Sequence, residues 1–175
     1  MIEPSFGIGR ILYCIFEHSF KVRPEDEKRT YFTFPPHIAP VKSSILPLTT
    51  DPRLLKISSE LSKFLRLTHL EEKLTLAGIS AKVDESSQTI GKRYARTDEL
   101  GIPFGITVDF KTIQDDTVTL RDLHTTKQTR LSIQELKEEL RLLLSEQKSW
   151  EELLKKNGEF VYDKDESGVG ASWLF

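Results

Sequence analysis

The sequence predicts an α/β sandwich in which a mixed sheet of about five strands is covered by helices, and three observations carry that prediction. From residue 41 onward, apolar β-prone runs alternate with stretches of helical periodicity. The helical stretches open on cap residues and close on glycine. Residues 117–123 and 128–131 flank a polar connection, His124-Thr125-Thr126-Lys127, and so form a hairpin that adds antiparallel strands to a parallel order.

The elements follow in order. Residues 1–6 read as a short strand ending in the turn Gly7-Ile8-Gly9, and a helix follows over 10–20, with Ile11, Leu12, Ile15, Phe16 and Phe20 at helical spacing on one buried face and Cys14 in the core. Residues 21–29 are charge-rich and read as a solvated loop before an aromatic strand at 31–34. Pro35, Pro36 and Pro40 then interrupt regular structure, because proline lacks an amide donor and restricts the residue before it. A domain boundary falls there, dividing residues 1–36 from 37–160, with a flexible tail at 161–175. Next come an apolar strand at 41–48 and a helix with Asp51 as N-cap and Pro52 at its first position, running to Ala77 before Gly78. A strand at 79–84, a turn at 86–89 and a helix at 90–100 stopped by Gly101 lead to a central strand at 104–110. After the hairpin, Ser132 with Glu135 and Ser149 with Glu152 make capping boxes for helices at 133–147 and 150–156.

Composition narrows the function. The 175 residues are 38% hydrophobic and 30% charged, which describes a globular chain of one domain or little more. The longest apolar runs, 11–15 and 142–144, fall far short of the roughly 20 residues a spanning helix needs, so a soluble, cytoplasmic protein without a membrane partner is expected, a mitochondrial form remaining compatible. One cysteine excludes an internal disulfide framework, and His18, His37, His69 and His124 lack the spacing of a zinc site. A net charge of −2 argues against bulk electrostatic binding of nucleic acid, and no DNA partner is expected. Any RNA must be met by a local patch.

Two clusters carry chemistry. In Gly7-Ile8-Gly9-Arg10 a tight turn leads into a helix start whose free amides, dipole and guanidinium suit a phosphate or a purine. Glu3 and Ser5, alternate strand residues, share a face that could hold the ammonium and carboxylate of a small zwitterion; an ordinary edge strand would look the same. The second cluster runs from Ile90 to Glu99 and places Lys92, Arg93 and Arg96 around Tyr94, a candidate phosphate and base platform for RNA. Arg121 on the hairpin could extend it or form a cross-strand pair, while Asp98 and Glu99 could neutralise Arg96 or Lys92 in a merely solvated helix face. No G-x-S-x-G, P-loop or His/Cys dyad is present, and Glu25-Asp26 and Asp115-Asp116 read as solvated loop carboxylates.

The string EPSFGIGR followed by ILYCIFEHSF resembles the third class II motif of glycyl-tRNA synthetases of the eukaryotic and archaeal type. FTFPPHIAPVKSSILPL, KVDESSQTIGKRYARTDELGIPFGITVDF and TVTLRD resemble the anticodon-binding domain that follows it, so the likeness covers roughly residues 2–155. It implies a strand-helix remnant of the class II catalytic domain followed by that domain, in a homodimeric ligase that activates glycine with ATP, assisted by magnesium, and transfers it to tRNA(Gly). Carried over, Glu3 and Ser5 would line the glycine pocket, Glu3 holding the ammonium, and Arg10 would contact ATP. Arg93, Arg96 and Arg121 are candidates for tRNA contacts on chemical grounds. The first two class II motifs have no counterpart here, and adenylation needs opposing groups held in one geometry, so the chain alone is expected to be inactive and to bind no cofactor. The alternative is a free-standing RNA-binding module derived from the same domain.

Overall fold

A computed structural model describes residues 4–24, 26–71 and 79–161. Its centre is a five-stranded sheet of order β4-β3-β5-β6-β7, built from β3 (Ser43–Pro47), β4 (Ala81–Val83), β5 (Phe104–Val108), β6 (Thr117–Asp122) and β7 (Gln128–Ser132). β3 runs parallel to both β4 and β5, and β6 and β7 continue antiparallel. The mixed sheet is thus the one expected from the sequence, with β5 at its centre.

The two faces of the sheet differ because side chains alternate along each strand. Ile45, Phe104, Ile106, Val108, Val118, Leu120 and Leu131 form one apolar layer. Against it lie α2 (Pro52–Glu71) through Leu54, Leu61 and Leu65, α5 (Ile133–Leu144) through Leu136, Leu140 and Leu143, and α6 (Trp150–Asn157) through Trp150 and Leu153. The opposite face carries Ser44, Gly105, Thr107, Thr119 and Arg121, and receives α3 (Ile90–Glu99), whose Tyr94 hydroxyl hydrogen-bonds Thr107 Oγ1. Gly105 makes room for that ring, since an added Cβ would sit 3.2 Å from Tyr94.

Local chemistry explains the helix ends. Ser149 and Glu152 form a reciprocal capping box on α6, and the Ser132 hydroxyl accepts from the Glu135 amide at the start of α5. Gly101, at φ 64°, terminates α3 in the left-handed conformation that glycine adopts without strain. α2 extends from the expected Pro52 start through Glu71; its expected end at Ala77 and Gly78 lies outside the described residues. So does the tail beyond residue 161. α4 (Phe110–Asp115) is an addition to the sequence reading, opened by a capping box between Asp109 and Thr112 and closed at Asp116 in the left-handed conformation. Thr112 in place of Glu or Gln hides that box from the usual signature.

The N-terminal segment departs most from expectation. Residues 4–7 form no strand, and α1 spans Ile8–Ser19. Its apolar side is open: Ile11, Leu12 and Phe16 are each about half exposed, and Cys14 is exposed instead of core. The expected loop at 21–29 is an antiparallel hairpin of β1 (Phe20–Arg23) and β2 (Asp26–Phe32), in register Phe20↔Phe32 and Val22↔Thr30. A charged ribbon of this kind can stand with one side solvated, so charge density did not signal a loop. Phe16, Phe32 and Phe34 join it to α1 through ring pairs at 5.2–5.7 Å. Lys42 fixes the proline-rich connection by donating its ammonium to the Pro36 and His37 carbonyls at 2.8 Å each.

Candidate nucleic-acid interface

Helix α3 is the candidate RNA platform of the sequence, with a solvated face as its alternative, and the structure sorts its cations by the helical period. Positions 93, 94, 97 and 98 turn toward the sheet and positions 92 and 96 toward solvent. Arg93 is only 3% exposed, and its guanidinium donates to the carbonyls of Pro47 at 2.6 Å, Leu48 at 3.2 Å and Asp84 at 3.3 Å. It ties the ends of β3 and β4 together, and burial lowers its pKa from the usual arginine value. Tyr94 is likewise engaged under the sheet; its ring faces the Arg121 guanidinium at 4.7 Å, and burial, the largest influence, raises its phenol pKa. Neither side chain is a free platform in this conformation.

Arg121, on β6, is 7% exposed and donates to the Asp98 carboxylate at 2.9 Å. Asp98 also receives Arg23 at 3.1 Å and lies 3.7 Å from Arg29, so one buried carboxylate gathers three guanidinium groups from β1, β2 and β6. Arg23 further donates to the Leu123 and His124 carbonyls and stacks on Tyr31 at 4.1 Å. The expected local pairing of Asp98 with Arg96 or Lys92 is replaced by these long-range partners. A residue two or six positions along an α-helix points elsewhere, whereas the hairpin lies directly against this face.

Arg96 is the candidate that stays at the surface: its side chain is 48% exposed and pairs with Asp84 at 3.2 Å. Burial, the largest influence, pushes the Asp84 carboxyl up, but hydrogen bonds from Ser86 and the charges of Arg96 and Arg93 outweigh it and leave the pKa below the usual carboxylate value. Lys92 is also exposed. The solvent side of α3 therefore offers two cations at the edge where β3, β4 and β5 end.

Of the N-terminal candidates, Glu3 lies outside the described residues, and Ser5 and Arg10 are both exposed. Arg10 stands in the first turn of α1, whose N-cap Gly7 supplies no side-chain bond to the helix amides. It borders an open apolar groove with Ile11, Cys14, Ile15, Pro35 and Ile38.

Residues 42–143 match the family model described as "Anticodon binding domain", more than half of the chain. This chain belongs to that anticodon-binding family. The chain is similar to a glycine–tRNA ligase of Drosophila melanogaster, 49% identical over 152 residues, covering 86% of this chain and 19% of that protein. It is also similar to the mitochondrial glycine–tRNA ligase 1 of Saccharomyces cerevisiae, 45% identical over 161 residues, covering 92% of this chain and 22% of the other. The chain thus spans about a fifth of the length of the curated relatives it matches. A prolyl-tRNA synthetase from Cryptosporidium parvum shares the fold with a TM-score of 0.57 at 22% identity, over 66% of this chain and 23% of that one.

The clamps of this domain escaped the sequence reading. Arg130 grips Asp109 at 2.7 and 3.0 Å and also donates to Thr117 at 2.6 Å, binding β7, β6 and α4 together. Burial, again the largest influence, raises the Asp109 pKa, but the bonds from Arg130 and Thr112 prevail and hold it below the usual carboxylate value. Nothing in the local sequence pairs position 109 with 130; only the sheet does, by setting the end of β5 and β7 on either side of β6.

Proposed function

We propose that this chain is the tRNA-binding portion of a glycine–tRNA ligase, divided at residue 36 into a remnant of the class II catalytic domain and the anticodon-binding domain. The observation that supports it most is the 42–143 family match lying within a likeness to glycine–tRNA ligases that covers most of the chain. In this reading Glu3 and Ser5 line the glycine pocket and Arg10 meets ATP, each contact to an ionised group being worth about 1.5–3 kcal/mol. The exposed apolar side of α1 packs against the rest of the catalytic domain in a homodimeric enzyme. ATP and its magnesium belong to that larger site; among the described residues no cluster of His, Cys, Asp or Glu offers the ion a place.

The tRNA side rests on the exposed edge of α3, with Arg96 and Lys92 as phosphate contacts and Arg93 and Arg121 as the clamps that hold the surface in shape. Catalysis requires opposing groups in one preorganised site, and one wall of it does not suffice. The purified chain is expected to bind tRNA(Gly) in a salt-dependent way and to give no glycine-dependent ATP–pyrophosphate exchange. Exchange activity from these 175 residues would overturn the divided-site reading, and absence of tRNA binding would overturn the RNA-binding one.

A further inference from the structure

We propose that the β1–β2 hairpin is a strut that sets the angle between α1 and α3, with Arg23 as the positioning residue that locks it, a reading that rests on the ligase function above. In that function α1 carries the wall that meets ATP and α3 the edge that meets tRNA. Glycine activation needs only the first. Transfer needs both, because a tRNA held on α3 must bring its far end to the adenylate. An error in the angle between the two grows with the length of the tRNA that spans them.

The base of the hairpin is rooted in α1. Thr33, just past β2, donates its amide to the Ser19 carbonyl at 2.8 Å and its hydroxyl to the same oxygen at 3.1 Å. The Phe32 ring stands 5.6 Å from Phe16 and 5.7 Å from Phe20, centre to centre. The tip points to the sheet domain. Pairing shifts register between Val22 and Arg23, an irregularity of the kind that bends a strand and re-aims a side chain. Arg23 then donates to the Asp98 carboxylate on α3 at 3.1 Å and to the Leu123 and His124 carbonyls at 2.8 and 3.3 Å, with the Tyr31 ring 4.1 Å from its guanidinium.

Charge balance alone does not require Arg23 there. Arg121, on the sheet itself, already pairs with Asp98 at 2.9 Å. Phe32 and Phe34 close on Gly101 and hold the two parts together, but apolar contact is non-directional. A guanidinium fork spread over acceptors on α3 and on the segment after β6 fixes orientation as well. Asp98 faces the hairpin while Arg96, two positions earlier on the same helix, faces solvent, so any movement at Asp98 is a movement of the tRNA edge.

Two measurements test the strut. In the full chain, spin labels on the exposed Cys14 of α1 and on a cysteine introduced by Lys56→Cys on α2 report the distance between the two parts by electron–electron resonance. Wild type should give one narrow distance distribution and Arg23→Ala a broadened one. Gly158→Ala, which strains its own backbone outside the junction, should keep it narrow. In the full-length ligase, Arg23→Ala should leave glycine-dependent ATP–pyrophosphate exchange at the wild-type rate and lower kcat/KM for charging tRNA(Gly) by about 10- to 100-fold, the scale of a small remote misplacement. An unbroadened distribution, equal loss of exchange and charging, or undiminished charging overturns the positioning role. Failure of the wild-type ligase to charge tRNA(Gly) overturns the ligase reading, while the spin-label distances still judge the strut itself. Should Arg23→Ala not fold, Arg23→Lys takes its place: it keeps a charge beside Asp98 but loses the fork, so the same broadening and the same split are expected, and wild-type behaviour overturns the proposal.

Discussion

At the scale of single residues, Asp98 bears more than its place in a charged run suggested. Its carboxylate is buried among Arg23, Arg29 and Arg121, and removing its charge leaves guanidinium groups inside the protein without their counter-ion. Asp98→Asn is therefore expected to cost about 3–5 kcal/mol, the scale of a broken buried pair, read as a lower urea midpoint at neutral pH. Asp109 makes a prediction about acid. Its folded pKa lies below the ordinary carboxylate value near 3.9, so the stabilisation from Arg130 and Thr112 is fully present above that pH and is lost as the pH falls through the folded pKa. A urea series descending below about pH 4 should show a shallower acid loss for Asp109→Asn than for wild type, alongside lower stability at neutral pH. Asp98, Asp109 and Arg93 share a reason for being misread or missed: their partners lie tens of residues away, and no local spacing encodes them.

At the scale of elements, the helices were legible where caps and periodicity agreed, as in α3, α5 and α6. They were less so where the cap used an uncommon partner, as Thr112 does in α4. Gly101 shows how one position serves two elements. It closes α3 with a positive φ, and a Cβ there would lie 2.5 Å from the Phe34 ring and 2.9 Å from Phe32. Gly158 also has a positive φ but meets nothing within 4 Å. Gly158→Ala should therefore cost about 1–3 kcal/mol for its backbone alone, because φ 82° with ψ 161° lies in a region that only glycine adopts without strain, and Gly101→Ala should add to its positive-φ cost roughly 1–3 kcal/mol for the overpacking. Paired thermal denaturation curves check the difference, and equal losses would mean that Phe32 and Phe34 give way freely. The β1–β2 hairpin was illegible because its charged residues match a solvated loop as well as a solvated ribbon.

At the scale of the whole molecule, the hairpin and the sheet domain are joined by the Asp98 cluster and by Phe32 and Phe34 against Gly101. A chain lacking residues 1–36 removes Arg23, Arg29 and both rings, and should melt at a lower temperature than the full chain while retaining the Asp98–Arg121 pair. The same architecture divides the arginines of the proposed RNA surface. Binding to tRNA(Gly) should weaken with salt, each phosphate contact contributing about −0.7 to −0.9 to the log–log slope. Arg96→Ala should flatten the slope by about one contact, whereas Arg93→Ala should lower stability, because its guanidinium holds three carbonyls in the interior. By itself the sequence determined the mixed α/β sheet, its element order and the resemblance that pointed to an anticodon-binding domain, since periodicity, caps and motifs are written along the chain. Only the tertiary structure decided that Arg93 and Arg121 face inward, that Asp98 is shared by three arginines and that Arg23 reaches it from the hairpin. Charge in a sequence carries no direction until packing chooses which side of each element is buried.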